Sequence, residues 1–225
     1  MESEFTEIAS KMEAVSRFER AGFRIYDGLL VQNPTLLLHC GVGKVNAALG
    51  VSMLAENFQP HAVFNIGVAG AMRNNELRPG DIIVSSEVLH HDVDLTAFGY
   101  ELGQLPSLPK SFLADPKLLS LAQSIQVEGV RIRIGPIVSG DVFVQDRVLA
   151  KRIREQFPEA LAVDMESAAI AQSCYRLGLP FIIIRSISDI IGEGTNSSDF
   201  NQFLALAKEQ SSKFIVRMLQ GMRRE

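Results

Sequence analysis

The chain is poor in cysteine: Cys40 and Cys174 are the only two in 225 residues, far apart and in no Cys-x-x-Cys spacing. That pattern argues against a disulfide framework and against a nucleophilic thiol, and reads as two small buried hydrophobes in a reducing compartment. No uninterrupted apolar run approaches the roughly 20 residues that span a bilayer, so no membrane partner is expected. Basic residues are not in excess either. The net charge is −4, which gives no electrostatic footprint for nucleic acid. The start, Met1 to Glu7, has no basic stretch followed by an apolar one, so no secretory signal is read and the expected location is cytoplasmic. Repeats, low-complexity tracts and linkers are lacking too.

What is present is an alternation of apolar, β-branched runs with helical patterns, which points to an α/β fold around a largely buried sheet. Strands are predicted at Thr35–Cys40, Ala62–Val68, Asp81–Leu89, Arg131–Ser139, Ala160–Asp164 and Phe181–Ile187. Helices are predicted at Glu4–Ala21, Val45–Asn57, Pro116–Val127, Asp146–Gln156, Glu166–Leu177 and Asp199–Leu219. Residues 1–225 are expected to form one domain. A chain of this length buries about three quarters of its unfolded surface, so it needs no disulfide or metal to hold together.

Two acidic segments carry the chemistry. Leu161 to Ser167 and Phe181 to Asp189 each read as a buried strand that delivers a carboxylate at its C-terminal end, where open α/β sheets place ligands. A hydrolase needs such a pair when one group donates a proton and another steadies a cation. Glu166 falls in the first turn of its helix, where the dipole favours an ionised acceptor. Asp189 ends an apolar strand, where desolvation favours holding a proton. Capping explains either acid alone, and Asp164 is placed to cap the helix that follows it.

Other motifs are less specific. Gly41-Val-Gly43-Lys44 is either a tight strand-to-helix turn or a backbone approach to a nucleoside; the third fingerprint position holds Asn46, and a P-loop fails. Asn65 to Gly70 would add a second side-chain-poor strip, against which a flat ligand could lie. His90, His91, Asp92 and Asp94 are too close together on an extended segment to share a metal, so none is expected. Asp141, after Ser139-Gly140, is a catalytic candidate or a turn-former bonding backbone amides. Phe143 and Val144 offer an apolar wall with free backbone groups, suited to reading an adenine-like base.

These residues resemble the 5′-methylthioadenosine/S-adenosylhomocysteine nucleosidases, within the nucleoside phosphorylase superfamily. The resemblance rests on Cys40 to Lys44, Asn65 to Gly70, His91 to Tyr100, Ser139 to Phe143, Val163 to Ser167 and Arg185 to Asp189, in family order along the chain. It implies a nucleoside phosphorylase-like fold, with a twisted, mixed central sheet flanked by helices. It also implies hydrolysis of an N-glycosidic bond. By the resemblance, Asp189 protonates adenine N7, Ser188 holds it, and Glu166 beside Met165 binds the ribose hydroxyls and the oxocarbenium-like sugar. Glu4 directs the attacking water, and Arg185 supports that cluster. Phe143 and Val144 read adenine, Val42 and Phe200 line the pocket, and Val68 stands where some members have Ser. Phe98, Tyr100 and Pro106 reach across a homodimer interface to cover the alkylthio group. No metal or organic cofactor is implied.

One departure concerns the start. The resemblance implies an apolar strand ahead of the residue matching Met1, so the first strand of the fold is expected to be missing and a sheet position empty. A version carrying that strand should be better folded and more active. Two other functions compete with hydrolysis: a purine nucleoside phosphorylase, for which Lys44 and Arg185 are a thin phosphate-binding set, and a non-catalytic nucleoside-binding protein. Related substrates such as 5′-deoxyadenosine or aminofutalosine are compatible with the same motifs.

Overall fold

In the computed structural model residues 2–73, 76–192 and 196–222 are described, the side chains of 2–3 and 196–199 excepted. The chain begins with α1 (Glu2–Ala9), β1 (Met12–Arg20), β2 (Phe23–Leu30) and β3 (Asn33–His39), followed by α2 (Lys44–Phe58) and β4 (Val63–Ala71). Then come β5 (Ile82–His90), a 3-10 turn at Thr96–Phe98, β6 (Phe112–Leu113), α3 (Pro116–Ser124) and β7 (Ile132–Ser139). The last elements are α4 (Arg147–Gln156), β8 (Ala162–Asp164), α5 (Ser167–Leu177), β9 (Phe181–Ile190) and α6 (Asn196–Met222).

Strands β1, β2 and β3 form an antiparallel sheet of their own. The larger sheet has the order β6-β5-β7-β8-β4-β9, and β9 also pairs with β5, so β5, β7, β8, β4 and β9 close on themselves. It is mixed: β5–β7, β7–β8 and β4–β9 are parallel, while β4–β8, β5–β6 and β5–β9 are antiparallel. Strand β9 shows why its sequence is a continuous apolar run. Ile183 and Ile187 face the side packed by α2 and α5, and Ile182 and Ile184 face the side packed by α1, α3 and α6. A strand buried on both faces has no polar alternation to show.

The predicted helix Glu4–Ala21 is corrected by the structure. The helix stops at Ala9, and Met12–Arg20 is a strand. Its burial repeats every third residue rather than every second, because a register shift between Glu13 and Ser16 breaks the alternation. A period near three mimics a helix. The strand instead turns into β2 at Ala21-Gly22, where both residues have positive φ, as two-residue hairpins with matching twist require. Strand β2, with Ile25 and Leu30 fully buried, has no counterpart among the predicted elements. Strand β9 runs through Asp189 to Ile190, three residues past the predicted end.

The two sheets are not joined by strand pairing between β3 and β4. A cavity of about 150 Å³ lies there, lined by Leu36 to Cys40 on one side and Val63 to Ile66 on the other. Phe5 and Ile8 of α1 and Val51 and Leu54 of α2 also line it.

Candidate active site

The C-terminal ends of β8 and β9 do not lie side by side. Strand β4 runs between them, and Gly70 pairs with Val163 of β8 on one side and with Asp189 of β9 on the other. The side-chain-poor strip Gly67 to Gly70 therefore separates the two acidic segments. Gly70 has no room for more: a Cβ there would lie 2.5 Å from Ile191 Cγ2 and 3.3 Å from Asp189 Oδ2. Strand β9 also carries a register shift here, since Ala69 pairs with Ile187 but Gly70 with Asp189. Ser188 is the extra residue. The bulge breaks the two-residue alternation, so Ser188 and Asp189 both line the pocket beside Arg185. The Ser188 hydroxyl donates to Asp189 Oδ1 at 2.7 Å, and both residues are buried.

Asp164 joins the two strand ends. Ser139 and Ser167 hydroxyls and the Ser167 amide all donate to its carboxylate, which fulfils the capping expected of it. The fully buried Arg185 donates Nε to Asp164 Oδ2 at 2.6 Å and Nη2 to Asn65 Oδ1. A buried cation and anion held this way offset each other's charge beneath the pocket. Neither Asp164 nor Asn65 was among the predicted site residues. Asp164 reads as a cap in the sequence, and Asn65 was hidden in a motif read for its glycines.

Glu166 sits at the N-cap of α5, just outside its first turn. Its Oε1 accepts the Gly43 amide at 2.8 Å. Burial pushes the Glu166 carboxyl up and the Asp164 charge adds to this, outweighing the Gly43 amide and Arg185. The expectation that the helix dipole sets its charge is thus corrected. Desolvation dominates.

One pocket of about 410 Å³ brings together Glu4, Val42, Val68, Phe143, Met165, Glu166, Arg185, Ser188, Asp189 and Phe200. Phe143 and Phe200 meet edge to face, their centroids 6.0 Å apart. Val144 is buried behind Phe143 against a small adjoining cavity. Phe98, at 78% exposure, together with Tyr100 and Pro106, does not line the pocket of its own chain. Cys40 is half-buried: it packs against the Phe23, Ile25 and Met53 cluster and also lines the pocket, and burial and the Glu166 charge push its thiol up. Cys174 is the buried hydrophobe expected, its thiol pushed up to about 12.

The histidine and aspartate run has other partners. His90 Nε2 meets Gln172, Asp92 takes the Lys44 ammonium, and Asp94 accepts from Thr96. Asp141 bonds a backbone amide, as a turn-former would, but a distant one: Lys44 N–H donates to its Oδ1 at 2.8 Å. Gly41 and Gly43 hold φ of 82° and 94°, which L side chains rarely adopt.

A closed mixed sheet, with carboxylates flanking a glycine strip in an apolar pocket, suits an enzyme that takes a flat, partly apolar ligand and moves a proton on it. The model of the Phosphorylase superfamily matches residues 1–220. Among the relatives is the 5′-methylthioadenosine/S-adenosylhomocysteine nucleosidase of Pseudoalteromonas translucida, 42% identical over 224 residues, 99% of this chain and 94% of that one. The chain belongs to the phosphorylase superfamily and, within it, to the 5′-methylthioadenosine/S-adenosylhomocysteine nucleosidases. Solved structures agree. The nucleosidase of Colwellia psychrerythraea in complex with adenine superposes with a TM-score of 0.95 at 39% identity, covering 98% of this chain and 92% of that one. The enzyme of Neisseria meningitidis in complex with methylthio-immucillin-A gives 0.93 at 39% identity, covering 97% and 95%.

Proposed function

We propose that the protein hydrolyses the N-glycosidic bond of 5′-methylthioadenosine and S-adenosylhomocysteine, releasing adenine and the 5-thioribose product. The observation that carries this reading is the meeting of Asp189, Glu166 and Glu4 in one largely apolar pocket floored by glycine. Asp189, steadied by Ser188, gives its proton to adenine N7, so that the base leaves neutral. Glu166 takes the ribose hydroxyls and supports the positive charge that develops on the sugar. Its Oε1 is held by Gly43, which leaves Oε2 for the ligand. Glu4 accepts the proton of the water that adds to the anomeric carbon, with Arg185 below. Proton transfer of this kind contributes about two to four powers of ten in rate.

Phe143 and Phe200 flank the base, with Val144 behind, and Val42, Val68 and Met165 supply apolar contact to the nucleoside. Val42, Val45 and Leu49 are exposed at and beyond the start of α2, as are Phe98 and Leu113. Val42 lines the pocket, and these exposed apolar groups support a homodimer in which Phe98, Tyr100 and Pro106 cover the alkylthio group of the partner's site. Residues 1–225 then act as one catalytic domain. No helix among the described residues is long and apolar enough to cross a membrane, and the proposed location is the cytoplasm. The reaction needs no cofactor.

Adenine release from methylthioadenosine, measured with and without phosphate, tests the reading. Equal rates are expected. A strict phosphate requirement would make the protein a phosphorylase, and tight nucleoside binding without turnover would make it a binding protein.

A further inference from the structure

The Gly41–Lys44 loop is held from outside the pocket by two acids that the proposed chemistry does not use. Lys44 N–H donates to Asp141 Oδ1 at 2.8 Å, and Asp141 N–H donates in turn to Asp92 Oδ2 at 3.0 Å. The Lys44 ammonium closes the ring on both Asp92 oxygens, at 2.8 and 2.7 Å. Burial pushes the Asp92 carboxyl up, but the hydrogen bond and charge of Lys44 and the Asp141 amide win and hold it low. The clamp therefore ties the ends of β5 and β7 to the start of α2. The residue before Lys44 is Gly43, whose amide meets Glu166 Oε1. A side chain is poorly tolerated at Gly43, where φ is 94° and a Cβ would lie 3.2 Å from Asp141 Oδ1.

We infer that Asp141 is a positioning residue: it fixes the glycine loop so that the Gly43 amide, rather than water, holds Glu166 Oε1 and leaves Oε2 to the ribose. The inference rests on the ribose-binding role proposed for Glu166. Among the described residues, the charged or titratable groups that act on Glu166 or share its pocket are Asp164 from β8, Arg185 and Asp189 from β9, Glu4 from α1 and Cys40 after β3. None of them replaces a backbone donor on Oε1.

The direction of the pH effect separates positioning from simple charge. Removing a nearby carboxylate charge lowers a carboxyl pKa, whereas removing a hydrogen bond to the ionised form raises it. Asp141→Ala removes both charge and acceptor; Asp141→Asn removes the charge but keeps an oxygen that accepts from Lys44 N–H. For adenine release, Asp141→Ala is expected to lose about tenfold to a hundredfold in kcat/KM, as displaced catalytic geometry does. Its acidic limb should move to higher pH. Asp141→Asn should stay near the native rate with the limb unmoved or lowered.

Pocket contacts and folding are checked in the same series by adenine binding and Tm, which should change little. An acidic limb that stays in place or falls in Asp141→Ala overturns the inference, as does equal impairment of both variants. Glu166→Gln is run beside them. If it alone is disabled, the clamp is rejected and the role of Glu166 stands; if it is fully active, that role is rejected as well.

Discussion

Asp189→Asn is expected to lower kcat for adenine release from methylthioadenosine by about two to four powers of ten, the usual contribution of a positioned proton donor. KM should change far less. The substitution keeps shape and volume, and an amide oxygen at Oδ1 still accepts from the Ser188 hydroxyl that holds the native carboxylate. What it removes is the acidic proton. Adenine without a proton at N7 is a poor leaving group, so the loss falls on the bond-breaking step. Adenine itself should still bind, because Phe143, Phe200 and the glycine strip are untouched. The limb of the kcat/KM profile that reports the acid should disappear as well. A variant that turns over at the native rate would remove Asp189 from the mechanism; one that neither turns over nor binds adenine would point to a packing role.

The geometry behind that prediction was only partly legible in the sequence. The run Phe181 to Ile187 announced a strand because both its faces are buried, and Asp189 followed it in plain view. The bulge at Ser188 was not legible. A one-residue register shift depends on the pairing of Ala69 and Gly70 across the sheet, and pairing is a long-range property. Helix α3 was legible at its start because Asp115 caps it and Pro116 opens it, a purely local signal. The segment after Ala9 was misread for the opposite reason: an irregular edge strand lost its alternation, and only the tertiary hairpin with β2 decides its state. Asp164 illustrates the same limit within the site. Its local role as a cap was correct, but its ion pair with Arg185 spans 21 positions of chain and follows from the strand order β8-β4-β9.

Glu166→Gln is expected to abolish most activity and yet to make the protein more stable. Losing the anion that supports the sugar cation should lower kcat by roughly a hundredfold to a thousandfold, the range seen when one electrostatic contact to a transition state is removed. Stability moves the other way because the native carboxyl is raised above its ordinary value of 4.5, by burial first and the Asp164 charge second. A carboxyl whose folded pKa is raised favours folding when protonated. That advantage is complete below 4.5, is lost as the pH rises towards the folded pKa, and leaves a constant penalty above it. Gln cannot ionise, so the variant escapes the penalty while its amide oxygen can still accept from Gly43. Thermal unfolding of both proteins across pH should show Tm curves that converge at the acid end and separate at neutrality, the variant higher. Curves that separate with the native protein higher would mean that the ionised carboxylate is a net stabilising partner of Gly43 and Arg185. The pocket would then be built around a charge it favours rather than one it holds under strain for the sake of the sugar.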